Sequence, residues 1–254
     1  MAMTFTLGEN FENFEPIGFE GINAGSSPQT GAKDDKIQLF AEKLRAPQTE
    51  GYIPRPRLDR LLKRALEQVG AVLITGRAGT GKTALAADLA QKYQNKVWYR
   101  VEAADSDWKI FSSYLSQGIN GKVPANTEQN VGVFVEKLLA EPARADDEPR
   151  LIVLDDIHHV FDTDWFYEFF STALGSLSPK THLVFLSRSK SPLPLWRLRS
   201  KQSLIVVDEK VIAFDLMEAS LFCERAGVAP SESAKFYAES FGRIGKLKAL
   251  IEAE

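Results

Sequence analysis

An α/β fold, with a five-stranded, mostly parallel sheet and a small helical lid at its C-terminal end, is predicted by three features of the sequence. Short apolar runs alternate with helical patterns between Ala71 and Val207, a glycine-rich turn joins the first run to a helix, and only helical patterns remain from Leu216 onward. Strands that alternate with helices pair in parallel, because right-handed crossovers lay the helices on both faces of the sheet. The expected organisation is an arm over residues 1–36, a sheet-bearing core over 37–214 and the helical lid over 215–254.

The arm is rich in Gly, Asn, Ser, Glu and Asp, with Phe5, Phe11, Phe14 and Phe19 scattered without a period, so it reads as disordered. A helical pattern runs from Ile37 through Leu44, and a second helix covers Leu58 to Val69 behind the restricting prolines Pro54 and Pro56. The strands are expected at Ala71–Thr75, Val97–Val101, Leu151–Leu154, His182–Leu186 and Leu204–Val207. Between them lie helices at Lys82–Tyr93, Asp107–Leu115, Val131–Leu139 and Trp165–Leu177, and a polar loop passes through Ala145 to Glu148.

With 254 residues, 44% of them apolar, the chain can bury a substantial core. A net charge of −3 argues against a protein that coats nucleic acid or an anionic membrane. The single cysteine, Cys223, lies in a helical pattern and reads as an inert core thiol. No apolar run is long enough to span a membrane, and the expected location is the cytoplasm.

Gly76-Arg77-Ala78-Gly79-Thr80-Gly81-Lys82-Thr83 fits the G-x-x-x-x-G-K-[ST] pattern between an apolar strand and a helix. The glycines let successive N–H groups face phosphate oxygens, and the helix adds its positive end. Lys82 is expected on the β- and γ-phosphates and the Thr83 hydroxyl on Mg²⁺, which makes the fold a P-loop NTPase and ATP or ADP its ligand. The strand Leu151–Leu154 ends in Asp155 and Asp156. Asp155 is expected as the Mg²⁺ carboxylate opposite Thr83, and Asp156 as the group that orients or deprotonates water. Helix capping is the plainer use of such acids. The complete strand Val97–Val101 between the two motif strands resembles the additional-strand class of P-loop ATPases. The fourth strand ends at Ser187-Arg188, which places Arg188 beside the same site as a γ-phosphate contact, with a solvated arginine as the alternative. His158 and His159 follow the acids without a third ligand nearby and read as packing groups.

Beyond these motifs the chain resembles, from about Ile37 to its end, the nucleotide-binding region of the MalT-type STAND ATPases of large LuxR-family transcriptional activators. The segments that carry the resemblance are Lys43 to Pro47 with Ile53 to Leu58, Leu154 to His158, and Ser187-Arg188-Ser189 with Pro192 to Arg199. The resemblance implies an arginine-containing turn near the nucleotide base. It also implies a switch that rests as an ADP-bound monomer and forms a homo-oligomer with ATP and an inducer, with slow hydrolysis as the reset. Inducer-sensing and DNA-binding parts would lie outside this chain. The sequence departs from that family in the lid, where Gly242-Arg243-Ile244 lacks the proline of a Gly-x-Pro turn.

The rival reading is an AAA-type ATPase that remodels or loads partners on DNA, and Ser187-Arg188 with the Pro-Leu-Pro-Leu-Trp-Arg run favours the switch. A nucleotide-holding module without turnover is a third reading. Arg197, Arg199 and Lys201 form a basic cluster that either meets a neighbour's phosphates or is a solvated face.

Overall fold

The structure, a computed structural model, describes residues 39–49, 51–123, 129–140, 148–190 and 203–253. The expected arm, the Pro192–Arg199 run, Lys201 and most of the polar loop before Glu148 lie outside the described residues. The strands are β1 (Ala71–Thr75), β2 (Asn95–Arg100), β3 (Arg150–Asp155), β4 (Thr181–Ser187) and β5 (Ile205–Val207), all parallel in the order β2-β3-β4-β1-β5. Placing β4 between β1 and β3 is the additional-strand arrangement. It decides the site: Thr75 pairs with Ser187, and Leu154 with Phe185, so β1, β3 and β4 end along one carboxyl edge.

Period-two alternation splits the core in two. Leu73, Tyr99, Ile152, Leu154 and Phe185 face one side, where they pack on α3 (Trp108–Asn120), α4 (Val131–Ala140) and α5 (Phe166–Gly175) through Phe111, Phe134, Phe169 and Phe170. Val72, Ile74, Val153 and Leu186 face the other, against α1 (Pro56–Val69) and α2 (Lys82–Gln91) through Leu62, Leu66 and Leu85. The strand runs are apolar on both faces because both faces are covered.

After β5 come a short helix α6 (Glu209–Ile212) and the C-terminal helices α7 (Leu216–Arg225), α8 (Pro230–Ser240) and α9 (Ile244–Glu252). The last three share a small core of Phe214, Ala219, Cys223, Phe236 and Leu247, in which the Cys223 thiol is buried. A reciprocal cap starts α7: Asp215 accepts from the Glu218 N–H and Glu218 from the Asp215 N–H, satisfying two otherwise orphaned donors.

Two expectations need correction. The helix expected from Ile37 is, among the described residues, only a 3-10 turn over Ala41–Leu44. Phe40 is extended, with its N–H donated to Tyr114 Oη at 3.0 Å, and Lys43 is drawn inward to Asp105 Oδ1 at 2.8 Å, over the Tyr114 ring. These tertiary bonds replace further helical ones. The helix expected to stop at Leu115 instead runs to Asn120, where Gly121 ends it in the left-handed conformation.

Candidate functional site

Gly76 to Thr83 leaves the end of β1 and enters α2, with Gly79 at φ +74° and Gly81 at φ +86°. Side chains rarely adopt those angles, so the two glycines permit the curl. Lys82 is buried, and its ammonium donates to the carbonyls of Gly76 at 2.6 Å and Arg77 at 2.9 Å. Burial lowers its pKa, and the charges of Asp156 and Asp155 oppose that shift.

The carboxyl edge of the sheet brings the expected site residues together. Thr83 Oγ1 donates to Asp155 Oδ1 at 3.3 Å. Asp155 is 3% exposed, and burial, reinforced by the neighbouring Asp156 charge, pushes its carboxyl up to about 6. A buried carboxylate beside a hydroxyl is a hard oxygen pair suited to Mg²⁺. Among the described residues no three His, Cys, Asp or Glu side chains converge on one point.

Asp156 takes the left-handed conformation at φ 57°, a region that Asp and Asn tolerate better than most residues. Its carboxylate accepts two bonds from Arg188, Nε to Oδ1 at 3.0 Å and Nη2 to Oδ2 at 2.9 Å. This bidentate pair raises the guanidinium pKa of Arg188 further. Arg188 is thus fixed at the site by Asp156. His158 Nδ1 lies 3.8 Å from Asp156 Oδ1, too far for a hydrogen bond, and burial lowers its pKa.

The C-terminal helices reach the loop directly. The Gly245 N–H donates to the Gly79 carbonyl at 2.8 Å, and Ile244 packs 3.4 Å from where a Gly81 Cβ would stand. A cavity of about 360 Å³ opens beside this contact, lined by Ile53, Gly79, Ala84, Phe214, Phe222 and Ile244 among others.

Arg55 and Arg57 fasten the segment that joins sheet to helices. Arg55 is 2% exposed and donates through Nη2 to the Ile212 carbonyl at 2.7 Å and to Glu218 Oε2 at 2.9 Å, with its guanidinium 4.6 Å from the Phe214 ring centre. Arg57 bonds the same Glu218 and the Val211 and Ala213 carbonyls. Arg55 lines the cavity, and its Nη2 is committed to this junction, while its buried Nε makes no hydrogen bond.

Sequence reasoning missed Glu209. It lies on α6, beyond the end of β5, and accepts from the Arg77 backbone N–H at 3.0 Å and from Arg77 Nη2 at 2.6 Å. The available signal was position: an acid just past a strand of a parallel sheet stands at the same edge as Asp155 and Arg188.

A parallel sheet of additional-strand order, carrying a glycine-rich phosphate loop on β1 and two acids at the end of β3, defines a P-loop NTPase. Residues 63–187 match the AAA domain family. The chain is similar to the HTH-type transcriptional regulator MalT of Vibrio cholerae, 32% identical over 182 residues, covering 67% of this chain and 20% of that protein. It is also similar to MalT of Serratia proteamaculans, 28% identical over 187 residues, covering 69% and 21%. The chain therefore spans about a fifth of these relatives, and the resemblance to the nucleotide-binding region of MalT-type regulators holds. Two solved structures share the fold: a Walker-type ATPase of Pyrococcus abyssi (TM-score 0.53, 13% identity, 82% of this chain and 71% of that one) and the Aeropyrum pernix ORC1 protein, solved in complex with DNA (TM-score 0.52, 18% identity, 80% and 60%). Among the described residues no helix is long and apolar enough to cross a membrane.

Proposed function

We propose that this chain is the ATP-binding, slowly hydrolysing switch domain of a STAND-type cytoplasmic regulator, resting with ADP and forming a homo-oligomer when ATP replaces it. Inducer sensing and DNA contact would belong to other domains, as the helix-turn-helix in the names of the MalT relatives suggests. The observation that carries the reading is the bidentate Arg188–Asp156 pair beside Lys82. It couples the group expected to sense a γ-phosphate to the group expected to act on water.

In this reading the amides of the Gly76–Thr83 loop and the start of α2 receive the phosphates, and Lys82 exchanges its carbonyl partners for phosphate oxygens. The base enters the apolar cavity beside Gly79 and Gly81, where Ile53, Phe214 and Ile244 exclude water. Thr83 and Asp155 would hold Mg²⁺, which when bound supplies charge neutralisation at the phosphate oxygens. A γ-phosphate competes with Asp156 for Arg188. Once Arg188 turns to the phosphate, the Asp156 carboxylate is free to accept a hydrogen bond from water and aim it in line. The same exchange that signals ATP readies its hydrolysis, and the lid helix α9, bonded to Gly79, feels the loop.

Turnover is expected below about one per second, at the low end of enzyme rates, measured as phosphate release at saturating Mg-ATP. Fast hydrolysis that DNA stimulates further would contradict the switch and favour the remodelling ATPase.

A further inference from the structure

We propose that Glu209 is a positioning residue of the phosphate loop and the joint through which the loop follows the C-terminal helices. This rests on the nucleotide reading of Gly76–Thr83 and adds a residue that acts on that site through Arg77.

One carboxylate holds the first turn of the loop from several donors. The Arg77 amide donates to Glu209 Oε2 at 3.0 Å, Arg77 Nε to Oε1 at 3.1 Å and Nη2 to Oε1 at 2.6 Å. Glu209 also stands over Gly76, leaving little room for a side chain there: a Cβ on Gly76 would lie 3.2 Å from Glu209 Cβ and 3.5 Å from its Cα. The residues so held, Gly76 and Arg77, are those whose carbonyls receive the Lys82 ammonium. Fixing them fixes where Lys82 sits.

The same carboxylate faces the lid. Arg243 Nε lies 3.6 Å from Glu209 Oε1, and Arg243 immediately precedes Ile244 and Gly245, which pack on Gly81 and Gly79. Loop and lid therefore share one acid. The Arg77 bonds hold that acid down to about 2, so it stays ionised in any neutral buffer. Arg77 is largely exposed, and ion pairs with exposed partners add little stability. The yield of this arrangement is geometry at the loop.

The test compares wild type with Glu209→Ala, Glu209→Gln, Arg243→Ala, the Glu209→Ala/Arg243→Ala pair and Lys82→Ala. Each is titrated with a fluorescent ADP analogue and Mg²⁺, and its thermal midpoint is recorded without nucleotide. Glu209→Ala is expected to weaken binding by about tenfold, the scale of a lost charge-assisted hydrogen bond, with a midpoint near wild type. Glu209→Gln, whose amide oxygen still accepts from the Arg77 N–H, should fall between the two, and it decides the matter if the alanine variant fails to fold. Arg243→Ala should weaken binding in wild type but add nothing in the Glu209→Ala background. Wild-type affinity in the foldable Glu209 variants, alongside a weakened Lys82→Ala, would overturn this inference alone. So would an Arg243→Ala effect of equal size in both backgrounds. Wild-type affinity in Lys82→Ala would remove the nucleotide reading and this inference with it.

Discussion

Replacing Asp156 by asparagine is expected to lower ATP turnover by about 100-fold or more while Mg-nucleotide binding persists. Asparagine keeps the size of the side chain and tolerates the left-handed backbone at φ 57°, which alanine would occupy only with strain. What it loses is charge. An amide is a poor proton acceptor and cannot form the two-bond ion pair that now holds Arg188. Steady-state phosphate release and nucleotide titration on the same preparation separate the two effects. Unchanged turnover would assign the water-directing role to another group.

Replacing Gly245 by alanine is expected to weaken nucleotide binding by about tenfold, through a packing cost of about 1–3 kcal/mol at the loop. The added Cβ would lie 2.9 Å from the Gly79 carbonyl oxygen and 3.2 Å from Gly79 Cα. Both are backbone atoms, so neither can swing aside. Either the start of α9 lifts from the loop, breaking the Gly245 N–H bond to that carbonyl, or Gly79 moves and the curl changes. Alanine is otherwise worth up to about 1 kcal/mol over glycine inside a helix, so a loss here isolates the contact. A raised melting temperature with unchanged affinity would mean that α9 and the loop do not depend on each other.

Much of the fold was legible because the strand runs are short and mainly apolar, with Arg100 in the second run the charged exception. The five expected strands stand within a few residues of their observed places. The phosphate loop announces itself by spacing, and Asp155 and Asp156 by ending a buried strand. Strand order was less accessible, since parallel neighbours are set by crossovers that leave little local trace. Yet it is the insertion of β4 between β1 and β3 that carries Arg188 to Asp156. Contacts of long sequence separation were not legible. Glu209 is 132 residues from the Arg77 it holds, and Glu218 is 163 from Arg55. Neither pairing has a spacing to recognise, because both depend on how the chain after β5 folds back over the loop. The same holds for Lys43, whose inward bond to Asp105 turns an apparently helical stretch into a short 3-10 turn.

Calorimetric titration with Mg-ADP and with a non-hydrolysable Mg-ATP analogue, on wild type and on Lys82→Ala, tests the nucleotide site most directly. One nucleotide per chain is expected in wild type, with affinity at least about tenfold weaker in Lys82→Ala, because on the proposed reading the loop loses the cation that would meet the β- and γ-phosphates. Absence of binding at millimolar nucleotide, or equal affinity in the two proteins, would contradict it.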